Sequence, residues 1–415
     1  MNKQLLKYYF FIIYFSIFLS VIKFYVVLLA FIKVTSIIRY KSIKTKINEF
    51  YKKIILIYSF YFIYSILCFI FIFFYFSFSA SSILIRFISQ QFSLILLFFQ
   101  IYIGFQIAHR FKPNDINRFY KIIIYVLVFF GVYQFLAFQY GLPYVGLYAY
   151  DIDFGLRVSS LCIEPKYFSS VLVISFFYFI ELIRNYRSNR TVKFFFLLLI
   201  ILLLYRSGSG NGYLSFIILF LVNLYVWKPR LILFTSLLVL FLCIWFVSNY
   251  ELFNLRASHV IIIESIKNRQ ISFQGWDDLI VLPLMSWIKY PFFLIFGFGF
   301  NLNHFFASEF IQQATWLDGN TYINGNISII DFISNFGFFL PIILFIYLTI
   351  KTKKALTREV SRDLKSVIKL AYYTFVVGFF IGGNISIPFF SSVGMLFYYV
   401  VYDKDYENIT TTNSI

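Results

Sequence analysis

Residues 54–78, IILIYSFYFIYSILCFIFIFFYFSF, carry no charged side chain over a length sufficient to cross a membrane. A helix needs about 20 apolar residues to span the hydrocarbon core. The run lacks the apolar–polar alternation that a transmembrane strand requires, so it reads as a helix and argues against an outer-membrane barrel. Similar runs recur at roughly 8–22, 23–38, 83–108, 119–140, 167–184, 193–206, 212–227, 229–248, 328–350, 368–387 and 389–402. Together they predict an all-α polytopic membrane protein of about 11–12 transmembrane helices, a single transmembrane domain over residues 1–415. The first two runs are one stretch interrupted by Lys23, which a single tilted helix also accommodates. A balance of 61% apolar and 13% charged residues excludes a soluble domain of this length, since such domains carry about 25% charge.

The net charge of +18 is a topology signal, not a polyanion-binding surface. With the N-terminus in the cytoplasm, 27 of the 36 Lys and Arg and 8 of the 18 acidic residues fall inside. Short basic loops stay on the cytoplasmic side. The inner side then carries +19 and the outer side −1, and no nucleic-acid partner is called for. The same count assigns residues 249–327 to one large periplasmic loop. Residues 279–300 are apolar enough to cross, but a crossing there would turn the basic segment 351–369 outward. They are expected to lie along the membrane as an interfacial segment, with Trp276, Trp287 and Tyr290 at headgroup level. Lys3 and Lys7 precede the first apolar run without a small-residue cleavage site, so that run is read as an uncleaved span. Cys68, Cys162 and Cys243 show no paired spacing, and neither a disulfide framework nor a metal site is expected.

Polar residues gather at the outer ends of the predicted spans, where ionisable groups are costly. In the loop 141–166, Arg157 is followed by Glu164 and Pro165 at the entrance of the next span. Proline suits a first helical turn and a carboxylate suits a helix N-terminus, so a cap with an Arg–Glu ion pair explains the pattern as well as a binding site does. Arg206-Ser207-Gly-Ser-Gly-Asn-Gly212 joins two spans. Its glycines permit a tight turn or close backbone approach to a ligand, and its amides can cradle an anion, although any short helical hairpin looks similar. The large loop holds Arg269, the Gly297-Phe-Gly299 turn and His304, and returns through Asn326, Asp331 and Asn335. Glu181, near an inner span end, is expected to pair with Arg184 or face the cytoplasm. Arginine matches phosphate oxygens with a planar fork, and a carboxylate can take a proton from a sugar hydroxyl. Arg157, Arg206 and Arg269, with Glu164 and Asp331, therefore suit an anionic lipid-linked glycan held at the outer leaflet.

At these residues the chain resembles the O-antigen polymerase (Wzy-type) and O-antigen ligase superfamily. The resemblance rests on Arg157-x6-Glu164-Pro165, Leu204-Tyr-Arg206-Ser207-x-Ser209, Arg269 with Phe296-Gly297-Phe-Gly299, and Asn326-x4-Asp331-x3-Asn335-Phe-Gly337, over about 140–350. It implies a glycosyltransferase C-like membrane bundle in a bacterial inner membrane, with its active site facing the periplasm and no cofactor or metal. It also implies transfer of a growing glycan from undecaprenyl diphosphate to an incoming lipid-linked repeat unit. Arg157, Arg206, Ser207, Arg269 and Asn326 would bind substrate. Glu164 would be the base, with Asp331 and His304 behind it. Partners would be the undecaprenyl-diphosphate-linked oligosaccharide, membrane lipids and a chain-length regulator. Tyr205 stands where the family often has serine. Asn320-Thr-Tyr322 replaces the ligase's His-Asn pair, which favours the polymerase over the ligase. A lipid-linked oligosaccharide flippase or other transporter is the reading from a different class.

Overall fold

The computed structural model describes residues 46–75, 80–143, 149–151, 155–162, 165–185, 190–227, 276–299, 302, 306, 328–358, 360–381 and 386–402. The expected spans at 8–22, 23–38 and 229–248 and most of the loop 249–327 lie outside the described residues. Within them the chain is helical apart from one short hairpin. The helices are α1 (Lys46–Tyr75), α2 (Ala80–Arg110), α3 (Pro113–Tyr140), α4 (Pro165–Asn185), α5 (Arg190–Ser207), α6 (Gly210–Trp227), α7 (Trp276–Lys289), α8 (Phe292–Phe296), α9 (Ser328–Phe336), α10 (Phe339–Thr357), α11 (Arg362–Phe380) and α12 (Ser386–Leu396). A π-helical segment, Phe397–Tyr402, continues α12. The loop 141–166 holds the hairpin, β1 (Ala149–Asp151) and β2 (Gly155–Arg157), paired antiparallel. By length and composition, Lys52–Tyr75, Pro113–Tyr140 and Pro165–Arg184 can each cross a membrane.

The helix ends follow local chemistry. Pro113 opens α3, Asp115 sits in its first turn, and Gly141 closes it in the left-handed region with its N–H bonded to Ala137 O. Ser361 caps α11 by accepting from Leu364 N. α11 is buried nearly all round over Ser366–Phe379, so it is the central helix, against α3, α4, α6, α9, α10 and α12. Phe375, Phe379, Phe389, Phe332 and Phe345 form the aromatic layer on its C-terminal half.

The N-terminal half of α11 is polar. Lys369 Nζ meets a carboxylate oxygen of Glu181 on α4, both largely buried. Arg184, the partner expected for Glu181, stands farther off at 4.0 Å and is exposed. Tyr373 donates to Asn223 Oδ1 on α6 (2.7 Å), Tyr372 to Thr349 Oγ1 on α10 (3.1 Å), and Tyr178 to Asn117 Oδ1 on α3 (2.9 Å). Asn117 Nδ2 returns to the carbonyl of Asp363. These bonds tie four helices to α11 between Asp363 and Tyr373.

Two backbone approaches shape the rest. A Cβ on Gly104 of α2 would run into the Ser391 carbonyl of α12, and one on Gly394 would run into the Ile101 carbonyl. Tyr398, farther along, packs on Phe105 and His109. These glycines let the α2 and α12 backbones approach closely, the packing that small residues allow between membrane helices.

The second approach breaks the expected single span 328–350. Gly337 (φ +76°) separates α9 from α10, and Gly297 (φ +82°) ends α8. The two breaks interlock. Phe298 N donates to Ser334 O (2.6 Å) and Phe338 N to Leu294 O (2.8 Å). A Cβ at Gly297 would lie 2.6 Å from Asn335 O, and one at Gly337 would collide with Ile295 O. From α1, Tyr61 donates to Phe336 O (3.3 Å) and Tyr64 to Gly297 O. Trp287, expected at headgroup level, is buried with Cys68, Ile72, Phe293, Phe298 and Phe306. Ile288, Phe292 and Phe296 form the exposed apolar face of the same segment.

Breaking the buried ion pair from one side leaves an uncompensated charge, a cost of about 3–5 kcal/mol, whereas replacing both partners by apolar residues is nearly neutral. Lys369→Met is therefore expected to lower the melting temperature of the purified protein in detergent strongly. Lys369→Met with Glu181→Leu should recover most of the loss; an equal loss in the double variant would show that the pair itself is needed.

Candidate functional site

Four of the residues singled out in the sequence lie within the described region: Arg157, Arg206, Ser207 and Asp331. Glu164, Arg269, His304 and Asn326 lie outside the described residues.

The structure brings the first three together, and a residue that the sequence reading missed holds them. Gln134, fully buried on α3, donates from Nε2 to Ser160 O (2.6 Å) and accepts at Oε1 from Ser159 N (3.2 Å) and Ser160 N (2.7 Å). Ser160, in the left-handed region at φ +56°, adds a bond from its hydroxyl to Leu127 O (2.7 Å). The chain after β2 is thereby clamped onto α3. A glutamine inside the otherwise apolar run 119–140 was the available signal.

The clamp sets β2 against the end of α5. The last carbonyls of a helix have no intrahelical partner and need one in an apolar setting. Here β2 supplies them. Val158 N donates to Arg206 O (3.2 Å), Arg157 Nε to Ser207 O (3.1 Å) and Arg157 Nη2 to Gly208 O (3.2 Å). A guanidinium at a helix C-terminus also meets the negative end of the helix dipole. Arg157 thus staples β2 to the α5–α6 turn. Glycine is needed at 208, where φ is +54°, and at 212, where a Cβ would press on Ser169 of α4. Several amides of the turn bond internally: Gly208 N to Tyr205 O, and Gly212 N and Tyr213 N to Ser209 O. The turn is built by its own chain, with Ser207 buried and its hydroxyl on Leu204 O.

Arg206 differs from Arg157. Its side chain is exposed and its guanidinium stacks over the Phe135 ring, 4.8 Å from the centroid. The cation–π contact holds the guanidinium at the Phe135 ring while the side chain stays exposed. α6 begins at Gly210, so the positive end of its dipole adjoins the same turn. The result is a rim suited to an anion: one cation locked onto the turn, a second held against Phe135, and the N-terminus of α6 next in the chain. Cys162, just past the clamp, is wholly buried, and burial pushes its thiol well above its usual range, which disfavours the thiolate.

Asp331 sits elsewhere. It is half-buried in the first turn of α9, where the helix dipole favours a carboxylate. The main neighbours of α9 are α7, α8, α10 and α11. Among the described residues no group of three or more His, Cys, Asp or Glu could hold a metal ion. No protein-family model and no curated protein matches the chain.

If Arg157 is the staple and Arg206 the exposed cation, their substitutions separate. Arg157→Lys, which cannot reach two carbonyls with a planar fork, is expected to lower the melting temperature by about 4 °C. Arg206→Ala is expected to leave it within about 1 °C. Equal losses in a thermal melt would place both arginines in the scaffold.

Proposed function

We propose that the chain is a glycan polymerase of a bacterial inner membrane. It extends a polysaccharide by moving the growing glycan from undecaprenyl diphosphate onto an incoming lipid-linked repeat unit at the periplasmic face. The observation that carries the reading is the rim at the α5–α6 turn, where Arg157 fixes the backbone and the exposed Arg206 rests on the Phe135 ring. The proposed topology of about 11–12 spans and one large loop, 249–327, puts that rim on the periplasmic side, away from the inner +19. The resemblance of the four short motifs to the Wzy-type polymerases supports the same chemistry.

The reaction divides among the residues by charge. Arg206, with Arg269 from the large loop, holds the diphosphate and stabilises the negative charge that develops as it leaves. Arg157 keeps Arg206 and Ser207 in place. Glu164, seven residues after Arg157, takes the proton of the acceptor hydroxyl, with Asp331 and His304 as the other candidates. The hydroxyl oxygen attacks the anomeric carbon, the bond to the diphosphate breaks, and undecaprenyl diphosphate departs with the electron pair. Asn326, two residues before α9 in the sequence, is assigned to substrate binding.

One observation favours a second reading. The interlocked breaks at Gly297 and Gly337 resemble the discontinuous helices of transporters. A flippase would expose Arg157 and Arg206 alternately to the two sides, which cysteine accessibility at both positions detects.

In a strain whose only copy is Arg206→Ala, single lipid-linked repeats are expected to accumulate and the polysaccharide ladder to be lost at normal protein level. Normal chain length in that strain would remove Arg206 from the diphosphate site.

A further inference from the structure

The interface between α1, α2 and the interlocked breaks contains polar groups that the fold does not use. On α1 and α2, Phe69 packs on Phe87 and Tyr58 on Phe98, pairs 11 residues apart on both helices. Ser65, four residues before Phe69, therefore stands level with Gln91, four residues after Phe87. Both are buried. The Ser65 hydroxyl and both amide atoms of Gln91 have no hydrogen-bond partner among the described residues.

The same level of α1 faces the two breaks. One turn before Ser65, Tyr61 bonds to Phe336 O at the end of α9. One turn after it, Cys68 lies against Gly299, whose Cβ would stand 3.5 Å from the Cys68 thiol sulfur. Across this seam the hydroxyl of Ser334 and the indole N–H of Trp287 are also buried without a partner. An unpaired buried amide costs several kcal/mol in an apolar medium and a hydroxyl nearly as much. Four such residues at one seam, beside two helix breaks, are not a requirement of packing: leucine or alanine would fill the same space at lower cost.

We propose that Ser65, Gln91, Ser334 and Trp287 form a subsite for a sugar residue of the lipid-linked glycan, an inference that rests on the function proposed above. The groups are uncharged and include both donors and acceptors, the complement of sugar hydroxyls and not of a phosphate or a cation. Phe293 and Phe298 pack with Trp287 and supply the apolar walls that surround a few polar contacts in ligand sites. Ser65 lies ten residues from the end of α1 at Tyr75, about 15 Å along the axis. Asp331, a candidate base, is one helical turn before Ser334 on α9. The seam is closed in this structure. Admitting a sugar requires α7 and α8 to move off α1 and the bond from Tyr64 to Gly297 O to break.

The test uses the full chain in nanodiscs and two probes: a short prenyl diphosphate, and the lipid-linked repeat unit extracted from a strain lacking the protein. Gln91→Leu is expected to raise the melting temperature of the ligand-free protein by about 2 °C, because an unpaired amide is removed. It should weaken binding of the repeat unit by about tenfold or more while leaving the prenyl diphosphate unchanged. Ser65→Ala should do the same more weakly, and serves if Gln91→Leu does not fold. A lower melting temperature in Ser65→Ala, or in a folded Gln91→Leu, would make these groups structural and overturn the proposal. Unchanged or equally weakened binding of both probes would also overturn it, with the polymerase reading intact. A wild-type protein that binds neither probe would overturn that reading, and the sugar assignment with it.

Discussion

Water cannot finish the hydrogen bonding of a helix that ends inside an apolar bundle, and most of the distinctive contacts in this protein exist to meet that constraint. The end of α5 leaves carbonyls at Arg206, Ser207 and Gly208, and Val158 with Arg157 satisfies all three. The breaks after α8 and α9 leave carbonyls at Gly297 and Phe336, and two tyrosines one turn apart on α1 satisfy those. Gln134 does the same for the segment that follows β2. Each device sits where the chain must depart from a helix without reaching solvent.

This constraint separates two arginines that look alike in the sequence. Arg157 spends its guanidinium on backbone carbonyls, while Arg206 rests on the Phe135 ring with its side chain exposed. A scaffold cation behind an exposed cation is an economical way to build an anion rim. The first holds the loop by itself, and on the proposed function the second is left to meet the ligand. The same logic at α1 gives a contrasting result. Tyr61 and Tyr64 are satisfied by the helix breaks, yet Ser65 between Tyr64 and Cys68 is not.

The helical elements were legible because apolar runs at membrane length have few other solutions. The runs at 54–78, 83–108, 119–140, 167–184, 193–206 and 212–227 correspond to α1 through α6, with ends set by Pro113, Gly141 and Pro165. The break inside 328–350 was not legible, because Gly337 alone does not end a helix. It does so because the α8 backbone occupies the space a Cβ would need. The closer ion pair of Glu181, with Lys369, was missed for a related reason: sequence proximity pointed to Arg184, which does pair with Glu181 at 4.0 Å, whereas Lys369 is 188 residues away. At the candidate site, the residue types and the grouping of Arg157 with Arg206 and Ser207 could be read from spacing and sidedness. The division of labour between the arginines could not, since it depends on which carbonyls lack partners in three dimensions. Gln134 went unnoticed because a neutral polar residue in an apolar run carries no charge signal.

On the proposed function, this bundle joins lipid-linked repeat units to one another. The most direct measurement incubates the purified protein in liposomes with a synthetic prenyl-diphosphate-linked repeat unit and resolves the products by length. The account predicts a ladder of lipid-linked oligomers with release of free prenyl diphosphate. Repeat units that stay single, whether left in place or moved across the bilayer, would contradict it.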